Sequence, residues 1–339
     1  MLEIEDHGGT FKGIVSNELF KDFVSSKTTT FTTVGDTRSI AYNSHLQRII
    51  VYVSNGSYLF FHIYDYELNL IASIPINASL IYSQISQIGI TKMILDKDGF
   101  LYLSGYTSSS GGYTGCIKIL NTDYPFVVWV NYNYGIQDQN QLKLTDEYVL
   151  TGTTGITKLN RLNGELVSTS SIPFINSCTP TNDGNYIYGL RANGTPSFNL
   201  ASGTDFTTIK QWVLGAGYHP LGVCVGEDYF CGIYTYNNAY YARFYDLNTY
   251  EVLGTCPVPS GSTSVEYLGE DIFVIGANSA YSIINNKSND KSLLNGLPLK
   301  INSTSLTIGN TNPIVIPISK NKLFIYAIRD TTIKILTTK

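Results

Sequence analysis

A short polar turn followed by a strand of alternating apolar residues recurs along this chain. The clearest copies are "DKDGFLYLSGY" (96–106), "NDGNYIYGLRANG" (182–194), "GEDYFCGIYTYNN" (226–238) and "GEDIFVIGANS" (269–279). Weaker copies begin at residues 45, 145 and 319. Alternation with a period of two is typical of half-buried strands, and turns containing Asp, Asn and Gly join such strands into hairpins. The pattern therefore predicts a repeated β-unit, which occurs seven times in the sequence.

Each copy is preceded by a short apolar strand and followed by a second hairpin, so that one unit holds four strands. "GITKLNRLNGELVSTSSI" (155–172) and "YYARFYDLNTYEVLGTCPV" (240–258) show the second hairpin well. The units are predicted to begin near Ser39, Ile90, Gln139, Ser177, Pro220, Thr263 and Asn312. A four-stranded sheet of this length cannot bury both faces alone, but sheets arranged around an axis bury each other. We therefore predict an all-β fold, a single seven-bladed β-propeller of four-stranded antiparallel blades.

The last unit is incomplete, because "TTIKILTT" (331–338) supplies only its third strand. We expect residues 1–26 to form an N-terminal extension with a closing hairpin, in which a strand around Leu19–Val24 completes the last blade. Residues 27–38 are then a connector, and the propeller occupies 39–339. Closure of this kind removes the exposed edge that an open ring would leave.

The turn-and-strand segments, with "LNRLNGELVS" and "YDLNTYEVLG" as outer hairpins, resemble the repeats of seven-bladed propellers of the YVTN, NHL and quinoprotein-like group. The resemblance covers almost the whole chain and implies an architecture without specifying an activity. The sequence lacks the Gly-His and Trp-Asp pairs of WD40 blades, the double glycines of kelch blades and the aspartate box of sialidases.

Composition and charge narrow the possible partners. The chain contains 26 tyrosines, only 14% charged residues and a formal net charge of −4. Such a balance argues against a nucleic-acid partner, which would require a basic surface. We expect no membrane span, because no apolar run approaches about 18 residues, and no secretory leader, because the first residues lack a basic stretch followed by an apolar one.

The loops on one face of the predicted propeller, which we call the top face, are rich in Tyr, Ser, Thr, Asn and Gly. These loops join the second strand to the third, and the fourth strand to the next blade. Tyrosine offers a flat apolar ring and a hydroxyl group at low entropic cost, a combination that suits recognition of a protein or glycan. The candidate contact residues are Tyr106, Tyr113, Tyr134, Tyr218, His219, Tyr236 and Asn237.

Catalytic and metal-binding arrangements are weakly represented. In the innermost strands the polar candidates for an axial channel are Lys92, Gln141, Lys143 and Glu266. One carboxylate beside lysines is a poor site for a divalent cation, so we expect no metal and no cofactor. The acidic residues of the turns are interpreted as turn formers, and the five cysteines as small buried thiols, although Cys224 and Cys231 could face each other across a hairpin.

These observations predict a non-catalytic binding or structural module that contacts a protein or glycan through its top face. The composition resembles that of exterior proteins of viruses infecting hot-acid archaea, which implies a virion or cell-surface component that attaches to a host. Two alternatives are an intracellular, cytoplasmic scaffold for protein–protein interaction and a lactonase- or quinoprotein-like propeller enzyme. The oligomeric state is left open by the sequence.

Overall fold

The computed structural model describes the chain as a series of strands separated by short gaps. The described residues are 2–3, 14–15, 23–30, 36–54, 59–76, 88–107, 111–135, 142–152, 155–170, 175–190, 195–258, 260–269, 272–277, 280–285, 299–300, 313–319, 322–327 and 332–338. All regular structure in these residues is β-strand, as predicted. Among them, no helix has the length and apolar character needed to cross a membrane.

Three strands precede the repeated units. A small ladder is formed by β1 (Leu2–Glu3) and β2 (Ile14–Val15), and β3 (Phe23–Thr30) follows them. From Asp36 to Val258 the strands form consecutive four-stranded antiparallel sheets. The first contains β4 (Asp36–Asn43), β5 (Arg48–Ser54), β6 (Leu59–Asp65) and β7 (Leu70–Pro75). The second contains β8 (Ile88–Leu95), β9 (Phe100–Thr107), β10 (Gly111–Lys118) and β11 (Phe126–Asn131).

The next sheets repeat the same order of strands. The third contains β12 (Lys143–Leu144), β13 (Tyr148–Thr151), β14 (Thr157–Asn160) and β15 (Leu166–Thr169). The fourth contains β16 (Ile175–Pro180), β17 (Tyr186–Leu190), β18 (Ser197–Ala201) and β19 (Thr208–Val213). The fifth contains β20 (Tyr218–Val225), β21 (Tyr229–Tyr236), β22 (Ala239–Asp246) and β23 (Val252–Val258).

The C-terminal strands are described mainly by their backbone pairing. One sheet contains β24 (Ser264–Gly269), β25 (Ile272–Ala277), β26 (Ala280–Asn285) and β27 (Leu299–Lys300). Another contains β28 (Pro313–Ser319), β29 (Lys322–Ala327) and β30 (Thr332–Thr338), with β3 as its fourth strand beside β30. The N-terminal strand in this sheet is Phe23–Thr30, later than the segment 19–24 expected from the sequence. Residues 27–30, expected in the connector, belong to it, since Val and Thr in "FVSSKTTT" suit a strand.

The chain divides into two compact units. One consists of Met1–Thr28, Gly217–Ala327 and Thr332–Lys339, and the other of Thr29–Ala216 and Ile328–Thr331. The first four complete sheets, β4 to β19, therefore belong to the second unit. The β20–β23 sheet and the C-terminal strands belong to the first.

Side chains of the turns close the hairpins. In the turn between β8 and β9, Asp96 Oδ1 accepts hydrogen bonds from the backbone N–H groups of Asp98 (3.0 Å) and Phe100 (2.8 Å). In the outer turn of the fifth sheet, Asp246 Oδ1 accepts bonds from the N–H groups of Asn248 (2.8 Å) and Thr249 (2.7 Å). Asp and Asn are favoured in turns because their short side chains can bind the backbone in this way.

The cores lie between neighbouring sheets and are built from the middle strands. Leu101 and Leu103 of β9 are fully buried and share one cluster with Ile50 of β5 and Phe61 of β6. The fourth strand of a sheet is much more open than its middle strands. On β19, for example, Val213 is 56% exposed. Burial thus falls from the middle strands to the outer one, as expected for sheets that pack face to face.

Candidate functional site

The β20–β23 sheet presents a group of tyrosines on one face, next to a single arginine. The register pairs Tyr218 with Tyr236, Tyr234 with Tyr241, and Arg243 with Thr255. Side chains two residues apart on a strand point to the same face, and paired residues of adjacent strands lie side by side. We call the set Tyr218, Tyr234, Tyr236, Tyr241 and Arg243 the tyrosine face.

The tyrosine face is held together by ring contacts. The rings of Tyr218 and Tyr236 stack with centroids 4.2 Å apart and planes inclined by 16°. Tyr234 lies 5.4 Å from Tyr218 and 5.5 Å from Tyr241, with which it also stacks. Tyr234 is buried, whereas the other three rings are partly exposed. The arrangement is a preformed aromatic surface in which the Tyr234 ring is buried and the rings of Tyr218, Tyr236 and Tyr241 contact solvent.

A tight turn joins β21, which ends at Tyr236, to β22, which begins at Ala239. Tyr236 pairs with Ala239, so that Asn237 and Asn238 form a two-residue turn. Their φ angles are 50° and 63°, the left-handed values that a type I′ hairpin turn requires. Asn adopts these values more readily than most residues, because its side chain can bind the local backbone. Asn237 is exposed and directly follows Tyr236 of the stacked pair.

Arg243 lies on the same face and is oriented by two hydrogen bonds. Its Nη2 donates to the Tyr234 hydroxyl and its Nε to Thr255 Oγ1, both at 2.9 Å. Its guanidinium carbon is 4.9 Å from the centroid of the Tyr234 ring, a cation–π distance. An ordinary tyrosine hydroxyl is protonated at neutral pH, and burial raises the pKa of Tyr234 further. Within the part of the chain that the structure describes, Arg243 forms no ion pair with a carboxylate.

The structure brings together three of the residues predicted for partner contact, namely Tyr218, Tyr236 and Asn237. His219 is also exposed, but it lies within β20 next to Tyr218, so its side chain points to the opposite side of the sheet. Tyr234, Tyr241 and Arg243 were not predicted from the sequence. The signal was available, since the turn at Asn237–Asn238 fixes which residues of "IYTYNNAYYARFYD" share a face.

The prediction that Tyr113 lies in an exposed loop is wrong. Tyr113 belongs to β10 and is only 2% exposed. Its hydroxyl donates to the Gly89 carbonyl at 3.4 Å, and burial raises its pKa well above the usual range. Loop-like residues surround it in the sequence, but they belong to strands β9 and β10, which extend to Thr107 and begin at Gly111. Tyr113 is therefore a core residue.

The remaining predicted contact residues belong to the second sheet and its following loop. Tyr106 is in β9, where only its backbone is described. Tyr134 is partly buried against the cluster that contains Trp129 and Leu142. Its carbonyl accepts a hydrogen bond from Thr114 Oγ1 at 2.8 Å. Neither residue is part of the tyrosine face.

The candidates for an axial channel lie on first strands of different sheets. Lys92 is in β8, Lys143 in β12 and Glu266 in β24, and all three are partly buried. Gln141 lies outside the described residues. Within the residues that are described, no group of three or more His, Cys, Asp or Glu side chains is arranged to hold a metal ion.

The acidic turn residue Asp96 is held in an ion pair, and the five cysteines are buried in the sheets. Asp96 forms an ion pair with Arg161 (2.7 Å), whose Nε also donates to the Tyr102 hydroxyl at 3.0 Å. Cys224 and Cys231 are directly opposed in the ladder, as considered from the sequence, but they are not bridged. All five cysteines are described, and they are buried thiols that form no disulfide. Burial raises the pKa of Cys178 to about 12, which makes it a poor nucleophile.

Comparison with solved structures shows the class of fold. The structures similar to this chain include WD40 and other β-propeller proteins, in agreement with the predicted type of architecture. Raptor from Chaetomium thermophilum superposes with a TM-score of 0.68 and 10% identity over 95% of this chain, which spans 29% of the Raptor chain. A chain of the Mitotic Checkpoint Complex gives a TM-score of 0.65 with 10% identity, covering 100% of this chain and 98% of that one.

A third similar structure is that of a protein named as a synthase. Hydrazine synthase from Kuenenia stuttgartiensis gives a TM-score of 0.61 with 9% identity, covering 93% of this chain and 99% of that one. At such identities the similarity shows the fold alone. No protein-family model matches the sequence, and no curated protein matches it.

Proposed function

We propose that this chain is a non-catalytic binding module, built as a seven-bladed β-propeller, that recognises a protein or glycan partner through its tyrosine face. The observation that carries the proposal is the stacked pair Tyr218–Tyr236, partly exposed and set at the end of a rigid hairpin. Rigid aromatic side chains give a large contact area with little loss of conformational entropy on binding.

The seven-bladed architecture is supported by the strand order. In six of the four-stranded sheets among the described residues the strands follow the chain order in antiparallel pairs, and in the seventh the N-terminal strand β3 joins the C-terminal strands β28 to β30. The first strands begin at Asp36, Ile88, Lys143, Ile175, Tyr218, Ser264 and Pro313, a few residues from the predicted starts. The propeller proteins among the similar structures support the same architecture.

The proposal is tested by mutating the tyrosine face in the intact chain. Wild type is screened against a glycan array and used as bait in pull-downs. We expect Tyr236→Ala and Tyr218→Ala each to weaken binding of the partner found by about tenfold or more, the loss typical of a central aromatic contact. Tyr124→Ala is the matched control, because Tyr124 is 82% exposed and lies in another sheet's outer turn.

Unchanged affinity in both tyrosine variants, with the control behaving like wild type, would rule out the tyrosine face as the contact surface. Thermal melts of each variant establish that the fold is intact before affinities are compared. Since Tyr236 lies at the end of β21 and is partly exposed, its truncation should cost little stability.

We propose that the module acts on the exterior of a virion or cell. Support comes from composition, since the chain is rich in tyrosine and has few charged residues. Fractionation of the source organism tests this location with an antibody against the chain. Recovery only from cytosol would instead favour an intracellular scaffold, and a cofactor that copurifies with the chain would favour an enzyme.

A further inference from the structure

We propose that the ligand of the tyrosine face is an acidic glycan, whose carboxylate binds Arg243 while a sugar ring packs on the stacked tyrosines. This inference rests on the proposed function and names the class of ligand for the same surface. It depends on the charge and orientation of Arg243, whereas the proposed function depends only on the stacked pair Tyr218–Tyr236.

Arg243 is the charged group of the tyrosine face. It is partly exposed, and among the described residues it has no carboxylate partner. Arg161 differs in this respect, because it is paired with Asp96 at 2.7 Å. A cation that is partly removed from water without a counter-ion is a natural site for an anion.

The hydrogen bonds of Arg243 fix the plane of its guanidinium group. Nε and Nη2 are held by Thr255 and Tyr234, which are neutral oxygen acceptors. The planar guanidinium has five donors, so these two bonds leave donors to form a paired interaction with a carboxylate. Because the group is oriented before the ligand arrives, less entropy is lost on binding.

The surroundings of Arg243 favour a sugar as the carrier of the carboxylate. Tyr234 lies between Arg243 and the stacked pair, 4.9 Å from the guanidinium carbon and 5.4 Å from the Tyr218 ring. The neighbouring groups are tyrosine rings and the Thr255 hydroxyl, which suit the apolar faces and hydroxyl groups of a saccharide. Among the described residues, no carboxylate lies within ion-pair distance of Arg243, where it would repel an anionic ligand.

The test compares oligogalacturonides with their methyl esters on the intact wild-type chain, using calorimetry or an array. The ester keeps the sugar rings and removes only the charge of the carboxylate. The comparison therefore isolates that charge without any change in the protein. We expect the free acid to bind at least tenfold more tightly than the ester, in line with a charge-assisted hydrogen-bond pair, and its affinity to fall as salt increases.

Protein variants provide the second arm. We expect Arg243→Gln to remove the preference for the acid, and Arg243→Lys to retain part of it, because lysine keeps the charge but not the planar fork. Equal binding of acid and ester, or an acid preference that survives in Arg243→Gln, overturns the inference. Acidic peptides that displace the glycan and bind more tightly also overturn it, in favour of a protein ligand.

The outcomes separate this inference from the proposed function. If neutral glycans bind and Tyr236→Ala abolishes that binding while Arg243→Gln does not change it, the contact surface stands and the acidic ligand fails. If Tyr236→Ala and Tyr218→Ala leave all binding unchanged, the proposed function itself fails.

Discussion

Individual residues in the outer turns take a backbone conformation that the sequence pattern does not reveal. Between the third and fourth strands, Leu68, Phe206 and Tyr250 have φ values of 56°, 62° and 61°, although none of them is glycine. Phe206 and Tyr250 donate their N–H groups to the carbonyls of Ser202 and Asp246, four residues earlier, both at 3.1 Å. The backbone of a residue other than glycine is strained at such φ values, because its Cβ atom comes too close to the main chain. The repeated geometry therefore indicates a turn imposed by the hairpin rather than by the residue.

Gly164 occupies the same position in the third sheet and has a second reason to be glycine. Its φ is +72°, and a Cβ atom there would lie 2.3 Å from the Trp129 ring. We expect Gly164→Ala to lower the free energy of unfolding by about 2–4 kcal/mol, combining backbone strain with a clash in packed surroundings. Urea denaturation measures the change.

Gly184→Ala is the matched control, because Gly184 has a similar φ of +82° but nothing lies within 4 Å of the added Cβ. It should therefore cost only the backbone strain, about 1–2 kcal/mol. If the two variants lose the same stability, the contact with Trp129 contributes nothing to the requirement for glycine at Gly164.

At the scale of the elements, neighbouring sheets are joined by polar networks as well as by apolar packing. Arg161, in the outer turn of the third sheet, donates to Asp96 and Tyr102 of the second sheet. A hydrogen bond from the second sheet to the third completes the network, since Trp129 Nε1 donates to the Arg161 carbonyl at 3.0 Å. The side chains of Asp96 and Arg161 are 6% and 19% exposed, so the ion pair is largely shielded from water.

Removing the cation should be costly because it leaves a buried carboxylate unpaired. We expect Arg161→Met to destabilise the chain by about 3–5 kcal/mol, and the double variant Arg161→Met/Asp96→Asn to recover part of that loss. Lys97→Met, which removes an exposed cation from the turn that contains Asp96, should change stability by no more than about 0.5 kcal/mol. The same small effect in Arg161→Met would show that the network is dispensable.

The sequence was most informative where strand periodicity and turn chemistry agreed. The copy "DKDGFLYLSGY" gives β9, with Leu101 and Leu103 in the core and Asp96 closing its turn, as expected from alternation and turn residues. It was least informative where strands run on into glycine- and serine-rich segments. Tyr113 was assigned to a loop because its neighbours are typical of loops, yet those residues pair within the sheet.

The candidate site was predictable in part for the same reason. Tyr218, Tyr236 and Asn237 could be proposed from their turns, which are local in the sequence. The partnership of Arg243 with Tyr234 and Thr255 depends on the register of three strands and on rotamers, which no local pattern specifies.

At the scale of the whole molecule, the shared property of the described sheets is the burial of many weakly acidic side chains. Burial raises the pKa of Cys116, Cys178 and Cys256 from 9.0 to about 12, and that of Tyr64, Tyr102 and Tyr186 from 10.0 to about 12. In the unfolded chain these groups lose protons at their ordinary pKa values. The folded state therefore binds more protons between about pH 9 and 12, and its stability falls as pH rises through this window.

We expect the free energy of unfolding to be nearly constant from pH 7 to 8.5 and to fall steeply above pH 9. Lys158 acts in the opposite direction, since burial lowers its pKa, but it is one group against several thiols and phenols. Urea titrations at a series of pH values measure the slope, and each fully buried thiol contributes about 1.4 kcal/mol per pH unit. Cys178→Ala should reduce the slope by that amount above pH 9, because it removes one such thiol. A free energy of unfolding that stays level to pH 11 would mean that these groups ionise without unfolding the sheets, and the packing between them would then be looser than described.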